Sequence, residues 1–162
     1  MAPERLVSTE FAGLTTVPVS AARARLDAAG ELSGPKQVVL DWFEALSDGR
    51  LDDAYALMNP EGSYWVLRQR TTVSNARFAE TFTNAYKNNF SDGIVFTIGA
   101  MTAEAGHVAV VCEGHAVLST SGEPYENMYH YLLTVDRGRI QDVCEFADTY
   151  RSAQAFAPPG SS

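Results

Sequence analysis

The chain has 162 residues, of which 46% are hydrophobic and 20% are charged, and its formal net charge is −8. This length and composition are those of one ordinary globular domain rather than a disordered chain. The acidic balance, without a stripe of Lys and Arg, argues against a nucleic-acid partner, and no apolar run approaches the roughly 20 residues of a membrane span.

Residues 1–33 are predicted to form an N-terminal extension. Its first ten residues lack the basic start and apolar stretch of a secretory signal, so we expect a cytoplasmic protein. Residues 15–19 are strand-like but short, and a small helix is predicted from Ser20, its N-cap, to Gly30. Because the Ala-rich face of this helix has little to bury, we expect it to lie across the main body or a neighbouring subunit.

Three helices are predicted in the first part of the core domain, which we place at residues 34–156. The first begins at Gly34-Pro35, with proline in its first turn. A short helix follows, then a short strand over residues 64–67, and the third helix begins with Ser74 as its N-cap. Aromatic residues recur every fourth position along the third helix, which is more typical of a core than of a cofactor site.

Apolar and polar residues alternate from Ile94 onward, which is typical of strands. Four strands are predicted, at residues 94–101, 107–119, 125–135 and 139–149, and the connections between them contain glycine. Helices followed by a long antiparallel meander make an α+β fold. The last segment, residues 157–162, is predicted to be a flexible tail.

Polar side chains recur on these strands where a buried strand should be apolar. Glu113 and His115 lie two residues apart on the second strand, Asn127 lies on the third and Glu145 on the fourth. Burying a polar group without a partner costs roughly 2–7 kcal/mol. The pattern therefore predicts a cavity with polar groups in its walls.

The register between the last two strands decides what Glu145 faces. A three-residue turn with Gly138 in a bulge places Glu145 opposite Tyr129, whereas a two-residue turn places it opposite His130. The sequence alone leaves both registers open.

Two segments carry a resemblance to a known family, Tyr125-Glu-Asn-Met-Tyr129 and Glu145-Phe-Ala-Asp-Thr149. Together with the order of helices and strands, they resemble the SnoaL-like family of the ketosteroid isomerase and nuclear transport factor 2-like superfamily over about residues 34–150. The resemblance implies a cone-shaped α+β barrel, in which three helices pack on a curved, mostly antiparallel sheet and enclose a pocket. It also favours the register that pairs Glu145 with Tyr129.

The resemblance further implies that Glu145 faces this pocket, where limonene epoxide hydrolase has a catalytic Asp. His115 falls close to the second catalytic Asp of that enzyme and Glu113 close to its Arg, so the Asp-Arg-Asp set is not reproduced. The ketosteroid isomerase set is not reproduced either. Trp42 occupies about the position of its helix-one Tyr, and the region around residues 64–65 offers no Asp base.

Glu145 and His115 are the predicted catalytic residues. An apolar cavity disfavours a charged carboxylate and raises its pKa, which would prepare Glu145 to act as general base or acid. The alternative is a structural carboxylate, paired with an arginine or a backbone donor. His115 would share a proton with Glu145 or Glu113 or orient a water, and Glu113 would orient His115; the alternative is a hydrogen bond from His115 to a neighbouring strand.

Other residues are predicted to bind the substrate. Asn127 and Tyr129 offer donors suited to a carbonyl oxygen or an oxyanion, although Asn127 would serve equally to satisfy backbone groups near a bulge. A wall of aromatic side chains suits a flat hydrophobic substrate, and an aromatic core gives the same pattern. The wall consists of Trp42, Phe43, Tyr64, Trp65, Phe82 and Tyr86.

These residues predict an enzyme that performs acid–base chemistry on a small hydrophobic metabolite, by cyclisation, isomerisation, dehydration or epoxide opening. No nucleotide-binding loop, metal-ligand quartet or Ser/His/Asp arrangement is visible, so we expect neither cofactor nor metal. The alternative is a non-catalytic module of the same fold that binds a ligand or dimerises. A homodimer is expected through the outer sheet face, which carries Met128, Leu132, Cys144 and Phe146.

Overall fold

Five helices and seven strands make up residues 15–156, the part of the chain that the computed structural model describes. In chain order they are β1 (Val17–Pro18), α1 (Val19–Ala28), α2 (Gly34–Ser47), α3 (Leu51–Ala56), β2 (Met58–Val66), β3 (Thr71–Ser74), α4 (Asn75–Asn89), β4 (Phe90–Glu104), β5 (His107–Leu118), β6 (Pro124–Asp136), β7 (Arg139–Ala147) and α5 (Thr149–Ala155).

The strands form one sheet in the order β1-β4-β5-β6-β7-β2-β3. Neighbouring strands are antiparallel except β2 and β7, which run parallel. The helices cover one side of this sheet, so the predicted α+β class and cone-shaped architecture are confirmed. The predicted tail, residues 157–162, and the first 14 residues of the predicted extension lie outside the described residues.

The helices follow from local sequence signals. Ser74 caps α4 as predicted, because its hydroxyl oxygen accepts a hydrogen bond of 3.1 Å from the amide of Arg77. Proline stands in the first turn of α2, and the apolar stripe of that helix, which includes Trp42 and Phe43, is buried against the sheet. The short β3 and helix α5 were not predicted, since neither carries a strong periodic pattern.

The sheet has two faces with different surroundings. We call the side that packs against α2 and α4 the inner face, and the opposite side the outer face. Within the predicted extension, β1 pairs with the edge of β4, and α1 buries Val19, Ala22 and Leu26 against α2 and β4.

A β-bulge sets the register between β6 and β7. Asp136 pairs with Arg139 across a two-residue turn, but the pairing shifts by one residue beyond Ile140. Gln141 is the extra residue of the bulge, and as a result Glu145 lies opposite Tyr131.

Both predicted registers are therefore wrong, although the two-residue turn is present. The turn alone would pair Glu145 with His130, whose side chain is exposed on the outer face. Because cross-strand partners point to the same side of a sheet, the bulge is what brings the Glu145 side chain to the inner face.

Candidate active site

A cavity of about 340 Å³ lies between the inner face of the sheet and the helices. Its walls are mainly aromatic and aliphatic, with residues from α2, α4, α5 and five strands, among them Trp42, Phe78, Phe82, Phe96, Tyr129 and Phe156. Glu145 and Arg68 are the two charged residues of the lining within the described part of the chain. A concave apolar site with a few convergent polar groups is typical of small-molecule binding.

Glu145 is held in this cavity by a tyrosine from the neighbouring strand. The hydroxyl of Tyr64 donates a hydrogen bond of 2.6 Å to Oε2 of Glu145. The ring of Tyr64 stacks on Phe78 of α4, with 3.6 Å between centroids and 4° between planes. The Glu145 side chain is half-buried: protein atoms enclose it, and its open side is the cavity.

Burial raises the pKa of Glu145 above its ordinary value, because the surrounding apolar atoms disfavour the charged carboxylate. Hydrogen bonds from Tyr64 and Tyr131 act in the opposite direction but do not cancel this effect. Burial also raises the pKa of both tyrosines well above the usual value, so their hydroxyls stay protonated and donate. The site thus holds a carboxyl group whose charge is disfavoured, surrounded by phenol donors.

A second polar cluster lies on the same inner face, along β6. The hydroxyls of Tyr125 and Tyr129 form a hydrogen bond of 3.1 Å, and Nδ2 of Asn127 donates to the hydroxyl of Tyr125 at 2.9 Å. Nδ2 of Asn127 also lies 2.9 Å from Oγ of Ser152 and 3.2 Å from the carbonyl oxygen of Asp148. Asn127 itself lies behind the cavity wall, whereas both tyrosines line it.

The chemistry of its partners fixes the orientation of the Asn127 amide. The carbonyl of Asp148 only accepts, which places the NH₂ group of Asn127 on this side. Tyr125 accepts from Asn127, and in its hydrogen bond with Tyr129 either hydroxyl can be the donor. When Tyr125 is the donor, the proton of Tyr129 is available to a ligand in the cavity. Burial raises the pKa of Tyr129 well above its usual value, which keeps this donor protonated.

Glu113 and His115 do not face the cavity, so their predicted placement beside Glu145 is wrong. Gly114, between them, points to the inner face, where an added Cβ would lie 3.0 Å from the ring of Tyr129. The neighbours Glu113 and His115 therefore point outward. Glu113 is 5% exposed and accepts a hydrogen bond of 3.0 Å from Oγ1 of Thr16.

His115 contacts groups on the outer face. Its Nε2 lies 3.2 Å from Oγ1 of Thr97 and 3.7 Å from Oε2 of Glu113. His115 therefore forms a hydrogen bond to the neighbouring strand β4, which was the alternative predicted from the sequence.

The predicted aromatic wall is divided between three places. Trp42, Tyr64 and Phe82 line the cavity, as does Tyr129, which was predicted as a donor to the substrate. Phe43 is fully buried behind it in the core. The remaining two lie elsewhere, and their predicted place in the wall is wrong.

Trp65 lies on the outer face, where its ring centroid is 5.4 Å from that of Phe146. The hydroxyl of Tyr86 packs directly over Gly93, next to the start of β4. Neither residue reaches the cavity lining.

Several lining residues escaped the sequence analysis. Tyr125 and Tyr131 alternate with Asn127 and Tyr129 on one face of β6, so the period-two pattern could have identified them. Arg68 and Phe156 come from a turn and from the end of α5, and no periodic signal marks them.

No group of three or more His, Cys, Asp or Glu side chains within residues 15–156 is arranged to hold a metal ion. Over the same residues, the helices are too short or too polar to cross a membrane.

Comparison with solved structures supports the fold. An NTF2-like protein of unknown function from Burkholderia pseudomallei is 12% identical, with a TM-score of 0.69 over 78% of this chain and 100% of that chain. IdmH of Streptomyces antibioticus, a proposed polyketide cyclase, is 19% identical, with a TM-score of 0.63 over 75% and 96%. An LEH-like epoxide hydrolase of M. tuberculosis is 15% identical, with a TM-score of 0.64 over 75% and 88%.

A search of curated protein sequences found no match. The family model described as a SnoaL-like domain matches residues 39–143, which is most of the described chain and includes β4 to β6 and the start of β7. The chain therefore belongs to the SnoaL-like family, as the resemblance implied.

Proposed function

We propose that the protein is a cofactor-independent enzyme that performs acid–base chemistry on a small hydrophobic metabolite bound in the cavity. The observation that carries this proposal is the setting of Glu145. It is the one carboxylate in the cavity lining within residues 15–156, and burial raises its pKa while Tyr64 fixes its position at 2.6 Å. A carboxyl group with a raised pKa at a cavity wall is suited to proton transfer near neutral pH.

Glu145 is the proposed general base. Its carboxylate accepts a proton from an acidic carbon of the substrate, such as one next to a carbonyl group, and later returns it. Tyr64 keeps the carboxylate oriented. A correctly placed general base typically contributes about 10²–10⁴-fold to the rate.

Tyr129 is the proposed donor to the substrate oxygen that gains charge when the proton leaves. Asn127 donates to Tyr125, and in the proposed arrangement Tyr125 donates to Tyr129, which leaves the proton of Tyr129 for the substrate. Asn127 is then a positioning residue, which acts on the substrate only through the two tyrosines. A donor aimed at developing negative charge stabilises the transition state more than the ground state.

Among the possible reactions, we favour isomerisation or cyclisation. One carboxylate that takes up a proton and gives it back suits a reaction in which a proton changes position. Epoxide opening is less well matched, because a base acting on water and an acid acting on the epoxide oxygen must work together. The similarity in fold to a proposed polyketide cyclase is compatible with this preference but concerns the fold alone.

The elimination of 5-nitrobenzisoxazole tests the proposal without knowledge of the natural substrate. A base removes the proton from carbon 3, the N–O bond breaks, and 2-cyano-4-nitrophenolate is released and followed by its absorbance. We expect turnover by the native protein, rising with pH as Glu145 ionises. Glu145→Gln should lower kcat/KM by about a hundredfold or more, the usual contribution of a general base. Equal turnover by the native protein and this variant would refute the role of Glu145.

The alternative function, a non-catalytic module that binds a ligand or dimerises, is favoured by one observation. Leu132 and Phe146 are both 39% exposed on the outer face, where they lie near Trp65 and Cys144. An exposed apolar surface of this kind is typical of a protein interface. We propose that it forms a homodimer, which is compatible with catalysis in the cavity on the other side of the sheet.

Light scattering coupled to gel filtration tests the homodimer. The native chain should elute with the mass of two copies, and Phe146→Glu should reduce this to one copy, because a buried unpaired charge is costly. Tyr150→Glu is the matched control, since Tyr150 is 72% exposed but lies on α5. A native monomer, or a Phe146→Glu dimer as stable as the native one, would exclude this interface.

A further inference from the structure

The cavity has a second charged residue besides Glu145, at a different part of its wall. Tyr64, Val66 and Arg68 alternate along the end of β2 and the turn that follows, and all three line the cavity. Tyr64 is fully buried beside Glu145, whereas Arg68 is exposed. The lining thus runs from a carboxyl group in the interior to a guanidinium group at the opening.

The guanidinium group of Arg68 has no acidic partner within residues 15–156. It lies over the ring of Phe156, 5.9 Å from the centroid, and Phe156 also lines the cavity. Other arginines of the described residues, such as Arg25 and Arg70, likewise form no ion pair with a carboxylate, whereas Arg77 does. What distinguishes Arg68 is its position in the lining of the cavity.

A cation–π contact of this kind uses the charge of the guanidinium group and leaves its N–H groups available for hydrogen bonds. These N–H groups form a fixed fork that matches the two oxygens of a carboxylate or a similar oxyanion. The ring of Phe156 holds the fork at the wall of the cavity, so an anion bound there would belong to a molecule that also fills the apolar space.

We propose that the cavity takes an amphipathic anion, whose flat apolar body lies among the aromatic walls and whose carboxylate or similar oxyanion binds Arg68. This inference rests on the proposed function for the use of the cavity and adds the class of substrate. It also fixes the orientation of the substrate. The anionic group is repelled by the Glu145 carboxylate and attracted by Arg68, so the uncharged end of the molecule is directed to Glu145.

Two fluorescent probes of similar shape test the inference. 8-Anilinonaphthalene-1-sulfonate carries an anionic group, and N-phenyl-1-naphthylamine has the same aromatic body without it. Both should bind the native protein, the sulfonate more tightly. Arg68→Gln should weaken binding of the sulfonate by about tenfold, the loss expected for a hydrogen bond to a charged group, and leave the neutral probe within about twofold. Added salt should weaken the sulfonate alone.

Two further variants are the controls. Arg70→Gln removes the same charge two residues away, at an exposed position that does not line the cavity, and should change neither affinity. Ala85→Trp places a large side chain in the cavity wall and should abolish binding of both probes, which establishes that they occupy the cavity.

The outcomes separate this inference from the proposed function. If Arg68→Gln binds the sulfonate as tightly as the native protein does, or loses both probes equally, the anion site is refuted while the cavity stands. If the neutral probe does not bind the native protein, the cavity is not an apolar binding site, and both proposals fail. Loss of nitrobenzisoxazole turnover in Glu145→Gln, with no effect of Arg68→Gln on the probes, refutes the anion site alone.

Discussion

The two faces of the sheet each carry a largely enclosed glutamate, and the comparison between them separates two uses of such a group. On the inner face, Glu145 accepts a hydrogen bond of 2.6 Å from Tyr64 and borders a cavity. On the outer face, Glu113 is 5% exposed, accepts a hydrogen bond from Thr16 and borders no cavity lining. Burial raises the pKa of Glu145 above its ordinary value.

Enclosure alone therefore does not identify a candidate catalytic carboxylate. Glu113 connects β5 to Thr16, the residue that precedes β1, and lies 3.7 Å from His115, so its contacts hold structural elements together. Glu145 has free space beside it in which a substrate can lie. We infer that the outer glutamate contributes to stability and the inner glutamate to chemistry.

The largest difference between the two faces should appear in turnover. Glu113→Gln should eliminate 5-nitrobenzisoxazole within about twofold of the native rate, because Glu113 does not reach the cavity, whereas Glu145→Gln should lose about a hundredfold or more. His115→Gln should behave as Glu113→Gln does. If Glu113→Gln instead lost as much activity as Glu145→Gln, the assignment of roles to the two faces would be wrong.

Glu113→Gln and Glu145→Gln should also change stability in opposite directions, by a smaller amount. Glu113→Gln replaces a charged acceptor of the Thr16 hydrogen bond by a neutral one and should lower the free energy of unfolding by about 1 kcal/mol. Glu145→Gln should raise Tm at pH 8, because it removes a buried charge. Melting curves measured on both variants between pH 4 and pH 8 would check this.

The effect of Glu145→Gln on stability should depend on pH, because burial raises the pKa of Glu145. The folded protein holds the Glu145 proton more tightly than the unfolded chain does. Protonation of Glu145 therefore contributes to the free energy of unfolding, and this contribution is complete below the unfolded pKa of about 4.3. It is lost as the pH rises through the folded pKa. The advantage of Glu145→Gln over the native protein should therefore be largest at pH 8 and disappear near pH 4. A constant advantage across this range would show that ionisation of Glu145 is not its cause.

The smallest predicted effect concerns Tyr64. Tyr64→Phe keeps the ring that stacks on Phe78 but removes the hydroxyl that donates to Glu145. This hydrogen bond lowers the pKa of Glu145, so its loss should raise that pKa further and move the pH–rate profile of the elimination to higher pH. The rate at the high-pH plateau should change little. A profile that stayed in place or moved to lower pH would contradict the role of Tyr64.

The fold could be predicted because its main signals are local. The apolar stripe of α2, the Ser74 cap of α4 and the alternation along β4 to β7 each appear within a short stretch of sequence. The candidate site depended on pairings between strands, which no short stretch contains.

One residue, Gln141, determines the face of the sheet to which Glu145 points. Gln141 forms the bulge, and its backbone carbonyl accepts a hydrogen bond of 2.9 Å from Asn75 at the start of α4. Its side chain accepts another, of 2.7 Å, from Asn59. These partners lie 66 and 82 residues away along the chain, so the bulge has no local sequence signal.

The placement of Glu113 and His115 failed for a different reason. The two faces of β5 have similar sequences, since Val111 and Val117 lie on the outer face and Val108 and Val110 lie on the inner face. Alternation groups residues by face but does not say which face is the inner one. Gly114 lies on the inner face, where its missing side chain leaves room for the rings of Phe96 and Tyr129. Glu113 and His115 on either side of it therefore point to the outer face.

The inner face of the sheet holds a carboxyl group, that of Glu145, whose pKa is raised by burial, so that it retains its proton to higher pH than an ordinary glutamate does. A ¹³C NMR titration of the glutamate side-chain carboxyl carbons, with Glu145→Gln to assign the signal of Glu145, measures this directly. We predict a midpoint for Glu145 above the ordinary glutamate value of about 4.3. A midpoint at or below that value would show that burial does not raise the pKa of Glu145.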